Sequence, residues 1–173
     1  MRIGWALAAL IAAAAPARAD VGDLELAVKA TYLYKFAPFV MWPQAALGGD
    51  EPLVICLQGS DPFGAVMDRA VAGQRLGAHP MVVRRLSRID RSSGCNIAYV
   101  GGSSSQSASQ ALAAVEAAPV LTVTDAARGP ARGIVHLVLE GGKVRFAVNT
   151  ARAQAAGLEI SSKLLALAVQ VSR

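Results

Sequence analysis

The chain has 173 residues, 17 of them lysine or arginine and 12 aspartate or glutamate, a formal charge of +5, with two cysteines and two histidines. So mild a positive balance argues against a nucleic-acid binder. The histidines, His79 and His136, stand beside no cysteine and no carboxylate pair, which argues against a metal site.

Met1-Arg2, the apolar run Ile3 to Ala15 and the small-x-small triplet Ala17-Arg18-Ala19 read as an export signal cleaved after Ala19. A retained anchor is the alternative, but the run falls short of the ~20 residues a spanning helix needs. Without residues 1–19 the chain carries 15 basic and 12 acidic residues. Residues 20–173 fit one domain that buries roughly 70% of its unfolded surface and needs no structural metal.

The densest apolar stretch is V-K-A-T-Y-L-Y-K-F-A-P-F-V-M-W-P, Val28 to Pro43. Leu24, Val28, Tyr32, Phe36 and Val40 recur every fourth residue, and Leu26, Ala30, Leu33 and Ala37 fill the next row, which predicts a helix apolar over more than half its girth. Asp23 suits its first turn, Glu25 and Lys29 can pair on the remaining polar strip, Pro38 predicts a kink near Ala37, and Trp42-Pro43 closes it. Its aromatic end is either core or part of a pocket or partner surface.

P-L-V-I-C-L at 52–57 reads as a strand covered on both faces. Q-G-S-D-P-F-G then opens a helix from Pro62 to Val71, capped by Ser60 or Asp61. Gln74 to Leu86 reads as extended, and the Arg84, Arg85, Arg88, Arg91 run as a solvated face or, second, as a surface for an acidic partner. Cys95 to Val100 is another buried strand. The turn Gly101, Gly102, Ser103, Ser104 leads from it into a helix ending near Ala117, a geometry suited to capping or to holding a small anion. Pro119 to Thr124 is a strand, and Ile134–Leu139 and Lys143–Val148 flank Glu140-Gly141-Gly142 as a hairpin whose second arm has one wet face. A short helix, Ala151 to Ala156, and a closing amphipathic helix through Leu164, Leu165, Leu167, Ala168 and Val169 follow. This order predicts a single three-layer α/β domain, Rossmann-like or receiver-like, with a mixed sheet of five to six strands and helices on both faces.

In an oxidising compartment Cys56 and Cys95 form one disulfide by default, two separate buried thiols being the alternative. No serine sits in a G-x-S-x-G elbow, and Asp61, Asp125 and Glu140 fall at turns or caps, so no nucleophile meets a base. The residues therefore point to an exported, non-catalytic binding protein without a cofactor.

Three stretches taken together resemble the YfiR-like family of bacterial periplasmic proteins: the aromatic helix with its W-P, the P-L-V-I-C-L-Q-G-S-D-P-F-G strand exit, and the hairpin running into G-L-E-I-S-S-K-L-L at Gly157 to Leu165. The similarity covers nearly all of residues 24–170. It implies a periplasmic repressor that forms homodimers, binds the periplasmic domain of an inner-membrane diguanylate cyclase, lowers cyclic di-GMP and biofilm formation, and is itself sequestered by an OmpA-like outer-membrane lipoprotein. Cys56 and Cys95 fall where one family cysteine pair is expected, while the second pair of some relatives has no counterpart in residues 125–150. Tyr32, Phe36, Phe39, Trp42, Arg128 and Arg132 are the expected partner-binding residues. A periplasmic small-molecule sensor or carrier using Gly101 to Ser104 or the aromatic cluster is the second reading, and an exported hydrolase the third.

Overall fold

A computed structural model describes residues 21–173, so the expected export signal and the expected cleavage after Ala19 lie outside the described residues. Helix α1, Val21–Lys35, is followed by a single 3-10 turn, Ala37–Phe39, and a two-residue strand β1, Val40–Met41. The sequence pattern predicts a helix that runs on to Trp42 with a kink near Ala37. It ends at Lys35 instead, because Pro38 has no amide to donate and restricts the residue before it.

The strands that follow are β2 (Leu53–Gly59), β3 (Arg75–Leu76), β4 (His79–Leu86), β5 (Ile97–Gly102), β6 (Leu121–Asp125), β7 (Val135–Glu140), β8 (Lys143–Asn149), β9 (Glu159–Ile160) and β10 (Gln170–Ser172). Eight of them form one mixed sheet in the order β10-β8-β7-β6-β5-β2-β4-β3, more strands than the five to six expected. The run β7-β6-β5-β2-β4 is parallel, β3 and β8 join it antiparallel, and β10 lies parallel to β8. β1 and β9 make a separate antiparallel pair.

Helices α2 (Ala65–Val71), α3 (Ala108–Ala114), α4 (Thr150–Ala155) and α5 (Ser162–Leu165) complete the chain. α1 and α2 cover a first face of the sheet, where Leu33, Phe36 and Met67 pack on Leu53, Ile55, Leu57, Ile97, Leu121, Val123, Val135 and Phe146. α3 covers part of the second face, where Ala111 and Val115 pack on Val54, Cys56, Ala98 and Val100. β2 is buried on both faces, as its unbroken apolar run requires. The Cys56–Cys95 disulfide, with Cα atoms 5.8 Å apart, sits on the second face and ties β2 to the segment entering β5.

Three further boundaries differ from expectation. α2 begins at Ala65 rather than Pro62, because the Asp61 carboxylate accepts the amides of Phe63 and Gly64 and so forms a turn before the helix. The extended segment 74–86 folds back on itself as β3 and β4 about Gly77, whose φ of +57° supplies the turn. The closing helix stops at Leu165, and Gln170–Ser172 becomes a strand beside β8. The β7–β8 hairpin is as expected. Gly141 and Gly142 both have positive φ in its two-residue turn, and Val144, Phe146 and Val148 face the core while Lys143 and Arg145 stay wet.

Candidate functional site

In an open α/β sheet, ligands favour the crevice at the carboxyl ends of the strands where the order reverses. Here that point lies between β2 and β5, because the chain goes from β2 to β4 on one side and returns to β5 on the other. The crevice is shut by backbone. Ser60 N–H donates to Gly102 O at 2.8 Å, and a Cβ placed on Gly59 would stand 2.1 Å from that same oxygen. The adjoining turn is held from the second face by two buried glutamines. Gln58 Oε1 accepts the Gly102 amide, Gln58 Nε2 reaches Gln106 Oε1, and Gln106 grips Ile89 through both its amide atoms.

Gly101, Gly102, Ser103 and Ser104 are thus placed at the switch point, as a β-to-α turn should be. The Gly102 amide goes to Gln58 and the Ser103 amide to Gln106 O, while the Ser103 hydroxyl donates to Ser87 O. Ser104 is exposed. A ligand in this turn would have to displace those two amides from their partners. The Ser107 hydroxyl and Gln110 form a reciprocal cap that starts α3.

On the first face the same end of the sheet carries a dry ionic cluster. Lys29, whose side chain is 3% exposed, lies 2.6 Å from Asp125 at the end of β6 and 2.5 Å from Glu25 one helical turn before it. The expected Glu25–Lys29 pair therefore forms, but on a face turned inward rather than on a wet strip. Burial alone would lower the Lys29 pKa; its contacts with Asp125 and Glu25 outweigh burial and hold it above the ordinary lysine value. Nearby, the Tyr99 hydroxyl is fully buried without a hydrogen-bond partner, and burial, with Asp125 adding to it, pushes its pKa up to about 12. The Arg128 guanidinium pulls that value back and reaches Ser60 Oγ at 3.4 Å.

The residues expected to meet a partner are not one patch. Phe36 is core, packed edge-on against Phe146 with ring centroids 5.2 Å apart. Tyr32 is half-buried between them and donates its hydroxyl to Val144 O. Phe39 is half-buried, and Trp42 donates its indole N–H to Asn96 O at 3.2 Å, bracing the loop after β1. Arg128 points to the switch-point end of the first face and Arg132 to the second face. The arginine run is spent on loops: Arg84, Arg88 and Arg91 each donate to a backbone carbonyl, of Ser93, Ser105 and Glu116, and Arg85 pairs with Asp61 and Asp68.

An apolar groove of about 420 Å3 runs between α1 and the β7–β8 hairpin, with Leu24, Val28, Tyr32, Leu139 and Val144 as its apolar lining. Leu24 is 63% and Leu139 56% exposed, high values for two leucines that share one groove. Lys143 and Arg145 stand on the hairpin bank and Glu25 on the helix bank. Among the described residues no helix is long and apolar enough to cross a membrane, and no three acidic, histidine or cysteine side chains gather as metal ligands.

A YfiR/HmsC-like family model matches residues 26–169, most of the chain. The chain belongs to the YfiR/HmsC-like family. No curated protein matches it. The family consists of periplasmic regulators rather than catalysts, and the Cys56–Cys95 disulfide fits an exported protein of that kind. Against that family background, sequence reasoning missed Gln58, Gln106 and the Lys29–Asp125 pair. The signal for Gln58 was its place at the end of an otherwise apolar run, a polar side chain that must find partners once buried, whereas Lys29 and Asp125, 96 residues apart, carried no local signal.

Proposed function

We propose that this YfiR/HmsC-like chain represses a membrane-bound diguanylate cyclase by docking on the cyclase's periplasmic domain, lowering cyclic di-GMP and biofilm formation. Membership of a family of periplasmic regulators, matched over residues 26–169, carries the reading. The repressor binds the resting form of the cyclase more tightly than its active form, since only differential affinity moves such an equilibrium. A preference of about 3 kcal/mol moves it more than a hundredfold. The groove between α1 and the hairpin offers the docking surface: Leu24, Tyr32 and Leu139 supply apolar anchors, and Lys143 and Arg145 suit a partner segment with carboxylates beside its apolar residues. Arg128 and Arg132 lie on different faces and outside this groove, so the docking surface does not include them. An OmpA-like outer-membrane lipoprotein competes for the repressor and so releases the cyclase, and the repressor acts as a homodimer.

Deleting the chain in its host and measuring cyclic di-GMP tests the proposal. A rise is expected, reversed by the wild-type chain and not by Leu24→Glu/Leu139→Glu, which leaves the core untouched. An unchanged cyclic di-GMP level after deletion would sink the repressor reading.

A further inference from the structure

The second face of the sheet is only partly covered by α3. Beyond its reach, the crossover from β6 to β7 and strands β7, β8 and β10 enclose a separate groove of about 250 Å3, lined chiefly by Arg132, His136, Ala147, Asn149, Gln170 and Ser172. Its construction is specific. The hydroxyls of Thr122 and Thr124 accept the amides of Ile134 and Gly133, each at 2.9 Å, and lay the crossover flat along β6. Gly133 is required there, because a Cβ would stand 2.7 Å from Thr122 O. Arg132 is thereby placed at the lip of the groove, next to the start of β7.

His136 is 3% exposed and its Nδ1 lies 2.9 Å from Thr124 Oγ1. That oxygen accepts from Gly133, and its one hydrogen has two acceptors in reach, Nδ1 and, at 3.4 Å, Val135 O. Given to Nδ1, the nearer of the two, it puts the ring proton on Nε2, and this tautomer is part of the proposal below. Among the described residues Nε2 has no protein partner, and the Tyr99 hydroxyl is the one polar side-chain atom there both fully buried and unpartnered. Nε2 therefore keeps an opening to solvent, and the groove that His136 lines provides it. Burial first, and then Arg132, hold the His136 pKa below the ordinary histidine value, against a smaller upward pull from Asp125. Asn149 spends its Oδ1 on the Arg152 amide, which leaves its NH2 group to donate, and no acidic residue lines the groove.

We propose that this groove binds the carboxylate of a small molecule, with the Arg132 guanidinium and the His136 Nε2–H as its two principal donors and Asn149 and Gln170 beside them. A single formal cation with neutral donors matches a monoanion. A dianion such as phosphate would leave one charge unmatched. This site is independent of the cyclase reading, which uses the opposite side of the hairpin.

The test is NMR of the histidine side chains of the purified 20–173 protein, titrated with sodium acetate to about 100 mM, the weak range expected of so small a ligand. Sodium chloride holds the ionic strength constant, and inorganic phosphate is titrated in parallel. A saturable shift of His136 with none of His79, which lies far from the groove at the start of β4, is expected, weakened about tenfold or more in Arg132→Ala. His136→Gln, whose amide can place an N–H near the Nε2 position, should retain more acetate-induced thermal stabilisation than His136→Phe. Arg132 is exposed, so its substitution leaves the fold intact and the comparison decisive. The proposal is overturned by no saturable His136 shift, by an undiminished shift in Arg132→Ala, or by phosphate binding as tightly as acetate.

Discussion

Replacing Asp125 with Asn changes one charge in a site where both ionic partners are nearly dry. Lys29 and Asp125 expose 3% and 6% of their side chains and stand 2.6 Å apart. Asparagine keeps an oxygen for the Ala127 amide, which Asp125 Oδ1 accepts at 3.0 Å, so the cap after β6 survives and only the ionic half is altered. A hydrogen bond to a charged group contributes about 1.5–3 kcal/mol, and stranding a buried charge completely costs about 3–5 kcal/mol. Glu25 still touches Lys29 at 2.5 Å from a position 28% exposed, which offsets part of that cost. Asp125→Asn should therefore lose about 2–3 kcal/mol, whereas Glu25→Gln, the wetter contact, should lose less than about 1 kcal/mol. Urea unfolding measures both, as a shift in midpoint at unchanged slope. The double variant Lys29→Met/Asp125→Asn should recover most of the loss, since no cation is left stranded. Equal small losses for Asp125→Asn and Glu25→Gln would refute the reasoning, for the buried contact would then count no more than a surface one.

Tyr99→Phe removes a buried hydroxyl that makes no hydrogen bond of good geometry and has only the Arg128 guanidinium near it, and should be neutral or stabilise by up to about 1 kcal/mol. Because the folded-state Tyr99 pKa is raised from 10 to about 12, the unfolded chain ionises first as pH rises, so wild-type stability falls between those values and the fall should flatten in Tyr99→Phe. The His136 shift has the opposite direction. Its folded pKa lies below 6.5, so the unfolded chain takes up a proton first, and stability present above that pH declines as pH falls below it; thermal melts of wild type and His136→Gln between neutral and acid pH check this. Thr124→Val strands the Gly133 amide and His136 Nδ1 and should cost about 1–3 kcal/mol in the same urea assay. Opening the Cys56–Cys95 bond, which spans 39 residues of sequence, should cost about 4 kcal/mol in the chain-entropy limit, read as the difference in urea midpoint with and without reductant.

The parts of the fold read well from sequence were those with a local cause. The β2 run P-L-V-I-C-L has no polar residue to turn toward water, so burial on both faces follows from composition alone. Gly141-Gly142 can take the positive φ of a two-residue hairpin turn, and Asn149 can cap α4 with its own side chain. The misreadings involve partners distant in sequence. Leu167, Val169 and Val171 alternate with Ala168, Gln170 and Ser172, a period of two that suits a strand, yet Leu164 and Leu165 just before them suit a helix. What decides is that β8 offers Ala147, Val148 and Asn149 as an unpaired edge for Gln170–Ser172. Likewise Val40–Met41 continues the apolar rows of α1, and only Glu159–Ile160 makes a strand of it.

The candidate sites were less legible for the same reason, and the closed switch point shows why. Strand order alone places a ligand between β2 and β5, where Gly101 to Ser104 stand, but Gly59, Gly102, Gln58 and Gln106 fill that crevice from two segments of chain. With the usual crevice occupied by the protein's own backbone, two other grooves lie at the β8 end of the sheet, one on each face. One strand serves both of them. The first half of β8, Lys143 to Arg145, borders the apolar groove under α1, and its second half, Ala147 to Asn149, floors the Arg132–His136 groove. β8 is fixed by α1 through the Tyr32, Phe36 and Phe146 rings and by β10 through its edge. A molecule seated in one groove thus bears on the strand that shapes the other, and a regulator with a shut switch point still has a physical route by which a small ligand could bias a protein contact.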